Sequence, residues 1–321
     1  MNNAAPPLDL WNLPGAQATL HAHRENRVYR VIAPGGTFAM REHRDGYRTA
    51  AEITSEMDAM AMLSQAGISV PTPVAGADGA FLQTRGAGRW SLLTWLPGTP
   101  LGNAEIPIAP ADRTGTFRAL GQVMARMHRA ADAWTPPAGF TRPDWRAEGL
   151  LGAVPVWGRF WDHPTLDPAD RDLLTQFRDA AADHLSTRTL DSGFIHADLL
   201  RENVLVDETP GDAPYSGPSI RLIDFDDCAW GYRSFEVATA LIRNGDAPDY
   251  GDLEAALLDG YRTERPFDAG DLSLFMALRL ATYVGWIATR PDLPDAAART
   301  AHNIAAANAA ARAYLDRGAW R

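Results

Sequence analysis

The chain has 321 residues, a formal net charge of −10 and no lysine, so all 30 of its basic residues are arginine. Its 46% hydrophobic and 22% charged residues are the make-up of a globular protein with a sizeable core, one large or two ordinary domains. The acidity and the lack of a basic stripe argue against nucleic acid and anionic membrane as partners, and no apolar run is long enough to span a bilayer. No secretory leader is read at the start, and the single cysteine, Cys228, has no intramolecular partner; a cytoplasmic location is expected.

Residues 1 to about 20 are rich in proline and alanine and read as an irregular lead-in. Strands are expected from Leu20 to Arg44: Val28–Ile32 alternates, Pro34-Gly35-Gly36 turns, and Thr37–Arg41 alternates again. Thr49–Ala66 places Ile53, Met57, Met60 and Leu63 at helical spacing, and Gly67 with Pro71 and Pro73 ends that helix in an extended segment. Phe81–Thr84 and Trp90–Leu96 read as two further strands, after which Pro97-Gly98 breaks the pattern. From about Pro110 the period becomes helical through Phe117, Leu120, Val123, Met124 and Met127, ending near Ala131. Residues 136–163 are rich in aromatics, and packed core and substrate lid both fit them. Pro168–Leu185 reads as a helix, as do Phe235–Ile242, Tyr250–Arg262, Asp271–Ala288 and Ala298–Asp316. Strands dominate the first hundred residues and helices the rest, an α+β layout. The expected lobes are 1–97, β-rich, and 98–321, mainly helical.

Between the helices lies Ser192–Asp227. Gly193-Phe194-Ile195 leads into His196-Ala197-Asp198-Leu199-Leu200-Arg201-Glu202-Asn203, and Val204-Leu205-Val206 follows. A Pro/Gly/Ser-rich connection then gives way to Ile220–Ile223 and Asp224-Phe225-Asp226-Asp227. The pattern suggests a hairpin whose strand ends carry polar groups to one place. Asp198, Asn203 and Asp224 form a chemical set. One carboxylate to orient an attacking hydroxyl, with an amide oxygen and a second carboxylate for Mg²⁺, is what phosphoryl transfer requires.

His196–Asn203 resembles the H-x-D-x-x-x-x-N catalytic loop of the protein-kinase-like superfamily, and Ile223–Asp227 resembles its metal-binding segment. In detail the chain is similar to the aminoglycoside phosphotransferase family, which includes antibiotic kinases, choline kinase and the second type of homoserine kinase. The resemblance implies a two-lobed protein-kinase-like fold with ATP in the cleft between the lobes. It gives Asp198 the role of orienting the acceptor hydroxyl, and it gives Asn203 and Asp224 that of holding Mg²⁺. Arg41 stands where such a fold carries its strand lysine, and Glu56 on the following helix would pair with it; a solvent-facing reading of both also stands. A phosphate-covering turn falls at about Arg24–Arg27 around Asn26, without glycine, and backbone near Trp95 and Leu96 would meet adenine. His196 is expected to brace the loop. Asp226 and Asp227 would contact metal or a cationic substrate, or be solvated. Glu236 replaces the family's usual aspartate and would hold the catalytic loop.

Leu200 occupies the place of a lysine in common eukaryotic protein kinases, and the short path from Asp224 to Phe235 leaves no room for a long activation loop. Both features favour a small-molecule acceptor: an amino alcohol, homoserine or an aminoglycoside. A protein Ser/Thr kinase of the stress-response type and a catalytically silent nucleotide-binding scaffold are the alternatives. Oligomeric state is left open.

Overall fold

A computed structural model describes residues 5–23, 26–103, 112–210 and 218–321. Its strands and helices begin with β1 (Gln17–His23), β2 (Arg27–Ala33), β3 (Gly36–His43), α1 (Ala50–Gln65), β4 (Pro73–Val74), β5 (Gln83–Arg85), β6 (Gly88–Thr94) and β7 (Thr99–Pro100). They continue with α2 (Arg113–Asp132), β8 (Asp144–Trp145), α3 (Ala147–Leu151), α4 (Pro168–Thr187), β9 (Ser192–Ile195), β10 (Val204–Pro210), β11 (Pro218–Leu222) and β12 (Ala229–Tyr232). Four helices close the chain: α5 (Arg233–Ile242), α6 (Tyr250–Glu264), α7 (Leu272–Ala288) and α8 (Ala296–Arg317). The chain divides into two units that are discontinuous in sequence. The first takes 1–100, 129–142 and 204–226; the second takes 101–128, 143–203 and 227–321.

In the first unit an antiparallel sheet runs in the order β1-β2-β3-β6-β4, with β5 also on β6. The period of two decides what each face carries. Met40 pairs with Tyr29 on one side and Leu92 on the other, and the three share a buried cluster with Trp11, Val31 and Trp90. Arg41, one residue on from Met40, therefore faces the other way, where α1 presents Glu56. α1 starts on a capping box: the Thr49 side chain accepts from the Glu52 N–H, and the Thr49 N–H donates to the Glu52 carboxylate at 2.8 Å. The β10–β11 hairpin pairs Val204 with Leu222 and Val206 with Ile220, and β7 adds to β10. Gly98, at φ +123°, leads into β7. A Cβ there would lie 3.1 Å from Leu205 Cβ and 3.2 Å from the Val206 carbonyl oxygen, so the close approach and the backbone both demand glycine.

The second unit holds α2 as far as His128, α3–α8, and a small sheet in the order β8-β12-β9. α2 and α6 meet through glycines. A Cβ on Gly121 would lie 2.0 Å from the Leu257 carbonyl oxygen, and one on Gly260 would lie 2.0 Å from that of Arg118. α7 is buried almost all round, as a helix apolar on every face must be.

Three sequence expectations change. The irregular lead-in contains a helical turn at Leu8–Trp11 and ends in β1, which starts three residues before Leu20. Phe81 and Leu82 precede β5 instead of forming it. Gly193–Ile195 is a strand, but its partner is β12 and not the hairpin that follows it. The connection 211–217, and Arg24 and Glu25 of the expected phosphate-covering turn, lie outside the described residues.

Candidate active site

In the first unit Arg41 and Glu56 form a forked ion pair. Nη1 donates to Oε1 at 2.7 Å and Nη2 to Oε2 at 3.1 Å, with Arg41 5% and Glu56 0% exposed. Burial alone would raise the Glu56 carboxyl; Arg41 more than offsets it and holds Glu56 below the ordinary value. Arg41 Nη2 also lies 3.5 Å from Asp226 Oδ1, whose other oxygen accepts from Asn26 Nδ2 at 3.1 Å. Asn26 is itself fixed by the Arg44 N–H, which donates to its side-chain oxygen at 3.1 Å. Arg142, which sequence reasoning missed, donates to the carbonyls of Glu52 and Asp226 and so ties α1 to the segment after β11.

Asp224 is exposed and sits at φ +66°, a left-handed conformation that aspartate tolerates better than most residues. Asp226 is buried at its side and Asp227 half-buried. Trp95 donates its N–H to the Thr37 carbonyl at 3.1 Å, so the Trp95 amide continues the sheet. Leu96, next in the chain and half-buried, lies beyond the end of β6.

In the second unit β9 leads directly into the His196–Asn203 segment. Asp198 is half-buried, while His196 and Ala197 are wholly enclosed. Ala197 is left-handed at φ +66°, a conformation that costs a non-glycine residue about 1–2 kcal/mol. Its N–H donates to Glu236 Oε2 at 3.2 Å, which holds the strained residue in place. The Asp198 N–H donates to His196 Nδ1 at 3.3 Å, so His196 braces the loop through its ring. Asn203 Nδ2 donates to the Asp198 carbonyl at 2.8 Å and to its Oδ2 at 3.0 Å. Both amide protons are thereby used on Asp198.

Glu236 is fully buried, and that burial pushes its carboxyl up to about 7 against the opposing pull of the Ala197 N–H and Arg233. His128 Nε2 stands 3.9 Å from Glu236 Oε2, and His128 Nδ1 pairs with the Tyr261 hydroxyl at 2.7 Å. Burial, then Arg233, holds His128 well below its ordinary value, so it is neutral. Sequence reasoning also missed Arg279, whose Nη2 donates to Asp198 Oδ1 at 3.0 Å.

The first unit thus gathers Arg41, Glu56, Asp226 and Asn26, and the second gathers Asp198, Asn203, His196 and Glu236. Among the described residues no group of three or more His, Cys, Asp or Glu could hold a metal. The Asn203 amide oxygen and the Asp224 carboxylate are each hard oxygen donors, the kind of atom that Mg²⁺ prefers.

A forked Arg–Glu pair between a strand and the following helix, with a strained loop holding an aspartate and an asparagine together, defines a kinase-like phosphotransferase. Residues 17–268 match the model of the phosphotransferase enzyme family, and the chain belongs to that family. It is similar to a homoserine kinase of Methylobacillus glycogenes, 30% identical over 275 residues that cover 84% of this chain and 77% of that one. Among solved structures it is similar to a microcompartment-associated aminopropanol kinase, with TM-score 0.81 and 28% identity over 98% of this chain and 97% of that one. An amicoumacin kinase in complex with AMP-PNP, Ca²⁺ and Ami shares the fold, with TM-score 0.73 and 22% identity over 94% and 90% of the two chains. The chain is an enzyme that transfers phosphate from ATP to a hydroxyl of a small molecule. Among the described residues no helix is long and apolar enough to cross a membrane.

Proposed function

We propose that this enzyme is a Mg²⁺-dependent kinase whose acceptor is a small hydroxylated molecule of the amino-alcohol, homoserine or aminoglycoside kind. The observation that carries the reading is the loop in which Asn203 holds both the carbonyl and Oδ2 of Asp198. Asp198 accepts the hydrogen bond of the acceptor hydroxyl and aims it. Arg41, aligned by Glu56, grips nucleotide phosphate, and Asn26 caps the same region. Backbone at Leu96 meets the adenine edge. The Asn203 amide oxygen and the Asp224 carboxylate would hold Mg²⁺, which when bound neutralises charge on the phosphates. The protein's own contribution is then positioning and fixed charge. A β-rich lobe, 1–97, binds the nucleotide, and a mainly helical lobe, 98–321, carries the catalytic and metal-binding loops and the acceptor site. The homoserine kinase and aminopropanol kinase likenesses support an acceptor that carries an amine as well as a hydroxyl.

The test has two parts. Mg-ATP titrated in a thermal-shift experiment should raise the melting temperature, and a panel of L-homoserine, 1-amino-2-propanol, ethanolamine, choline and aminoglycosides should show ATP consumption with at least one acceptor. No thermal shift with Mg-ATP or Mg-GTP, together with no consumption across the panel, would sink the reading.

A further inference from the structure

α7 is a 17-residue helix, Leu272–Ala288, in which Arg279 is the one charged residue. Arg279 is fully buried at 0% exposure. Its guanidinium carbon lies 4.7 Å from the ring centres of both Trp157 and Tyr283 and 5.5 Å from that of Phe235. Trp157 and Tyr283 are themselves near-parallel, 6.3 Å apart at 26°. Trp145 stacks on Phe235 and meets Trp157 edge-on at 4.7 Å, which locks the cage from behind. Among the described residues only Nη2 reaches an acceptor, Asp198 Oδ1; Nε and Nη1 are buried there without a hydrogen-bond partner.

A buried cation caged by aromatic faces and holding one carboxylate oxygen is a costly way to stabilise a core, because an apolar residue of similar volume does as well or better. Its return lies in geometry. Asp198 is held from two sides, Oδ1 by Arg279 and Oδ2 by Asn203, which restrains rotation of its carboxylate. We infer that Arg279 is a positioning residue for phosphoryl transfer: it fixes the aim of Asp198, and the Trp157–Tyr283 cage fixes Arg279. This rests on the reading of Asp198 given above. It also gives residues 136–163 a role, since Trp157 stands on the turn whose tip, Val154, is 87% exposed, and through Arg279 that turn touches the aim of the reaction.

The experiment compares wild type with Arg279→Met, Arg279→Lys and Trp157→Ala. The probe is ATP turnover with water as acceptor and then with L-homoserine and 1-amino-2-propanol; Mg-ATP thermal shifts are followed in parallel. Arg279→Met should fold, since methionine suits an aromatic cage and Asp198 keeps contact with solvent. Its kcat should fall by about 10²-fold, the loss a misplacement of ~1 Å produces, with the KM for ATP and the nucleotide-induced thermal shift within about twofold of wild type. Arg279→Lys restores a cation and should recover most of the rate, and Trp157→Ala should lower kcat by a smaller factor. The inference is overturned if Arg279→Met keeps kcat within about threefold of wild type. It is equally overturned if the lysine variant is no better than the methionine one, or if nucleotide binding falls in step with kcat. A wild type that neither binds Mg-ATP nor consumes it would instead bring down the functional proposal on which this one stands.

Discussion

Two glutamates, Glu56 in the first unit and Glu236 in the second, are both completely buried, and their chemistry is opposite. Glu56 meets a forked guanidinium at 2.7 and 3.1 Å and is held below its ordinary value, so it is a fixed anion. Glu236 meets a backbone N–H at 3.2 Å and a neutral histidine at 3.9 Å, and it rises to about 7. Burial acts on both in the same direction. The outcome is decided by how far the opposing groups offset burial: the forked Arg41 outweighs it at Glu56, while the Ala197 N–H and Arg233 together do not at Glu236. One site keeps its charges under all ordinary conditions; the other is poised to gain or lose a proton near neutrality.

The largest expected effect comes from breaking the first site. Arg41→Ala leaves Glu56 buried and uncompensated and should cost about 3–5 kcal/mol of stability. Urea denaturation measures this, and a loss below about 1 kcal/mol would show that Glu56 escapes by protonation as readily as Glu236 does. A sharper version is the cycle through Arg41→Met, Glu56→Leu and the double variant. The double should regain much of the stability lost by each single, a coupling of up to about 3 kcal/mol, while activity stays low. Strict additivity would mean the two residues do not act as a pair.

Glu236 gives the pH test. Its carboxyl titrates near 7 in the folded chain and at 4.5 ordinarily, so between those values the folded state holds the extra proton. Its contribution is therefore fully present below about 4.5 and falls by up to about 1.4 kcal/mol per pH unit as the pH rises toward 7. His43 works in the opposite direction. Burial lowers it from 6.5 to about 3, and its neutral ring pairs with Ser91 Oγ at 2.9 Å, so its contribution is full above 6.5 and is lost as the pH falls toward 3. The two slopes oppose each other between 4.5 and 6.5, so the informative quantity is the difference between wild type and Glu236→Gln. That variant should gain on wild type steadily from pH 5 to pH 7.5 in melting temperature. A difference independent of pH would show that Glu236 stays ionised throughout. The smallest expected effect is at the start of α1, the helix that carries Glu56. Thr49→Ala removes one half of the capping box and should cost about 1 kcal/mol, read by denaturant midpoint, without altering the Arg41–Glu56 coupling.

The elements that were legible in the sequence are those whose apolar residues keep a period. β2 and β3 alternate, α1 repeats at 3–4 residues, and the long helices of the second half declare themselves within two or three residues of their ends. β1 did not, because Gln17–His23 is an edge strand with both faces largely exposed and nothing for an alternation to record. Asp198 and Asn203 were legible as a pair through their spacing, and the structure hydrogen-bonds one to the other. Arg279 and Arg142 were not, since they reach Asp198 and Asp226 from 81 and 84 residues away and no local pattern encodes that. A signal for Arg279 did exist: one arginine inside an otherwise uncharged apolar helix has to be satisfied by something buried.

The guanidinium of Arg41 has a practical consequence for labelling. Reagents that mark nucleotide sites by acylating a nearby amine need a nucleophilic nitrogen, and a guanidinium is too weakly nucleophilic to serve. With no lysine side chain anywhere in the sequence, such reagents find no side-chain amine to acylate in this enzyme.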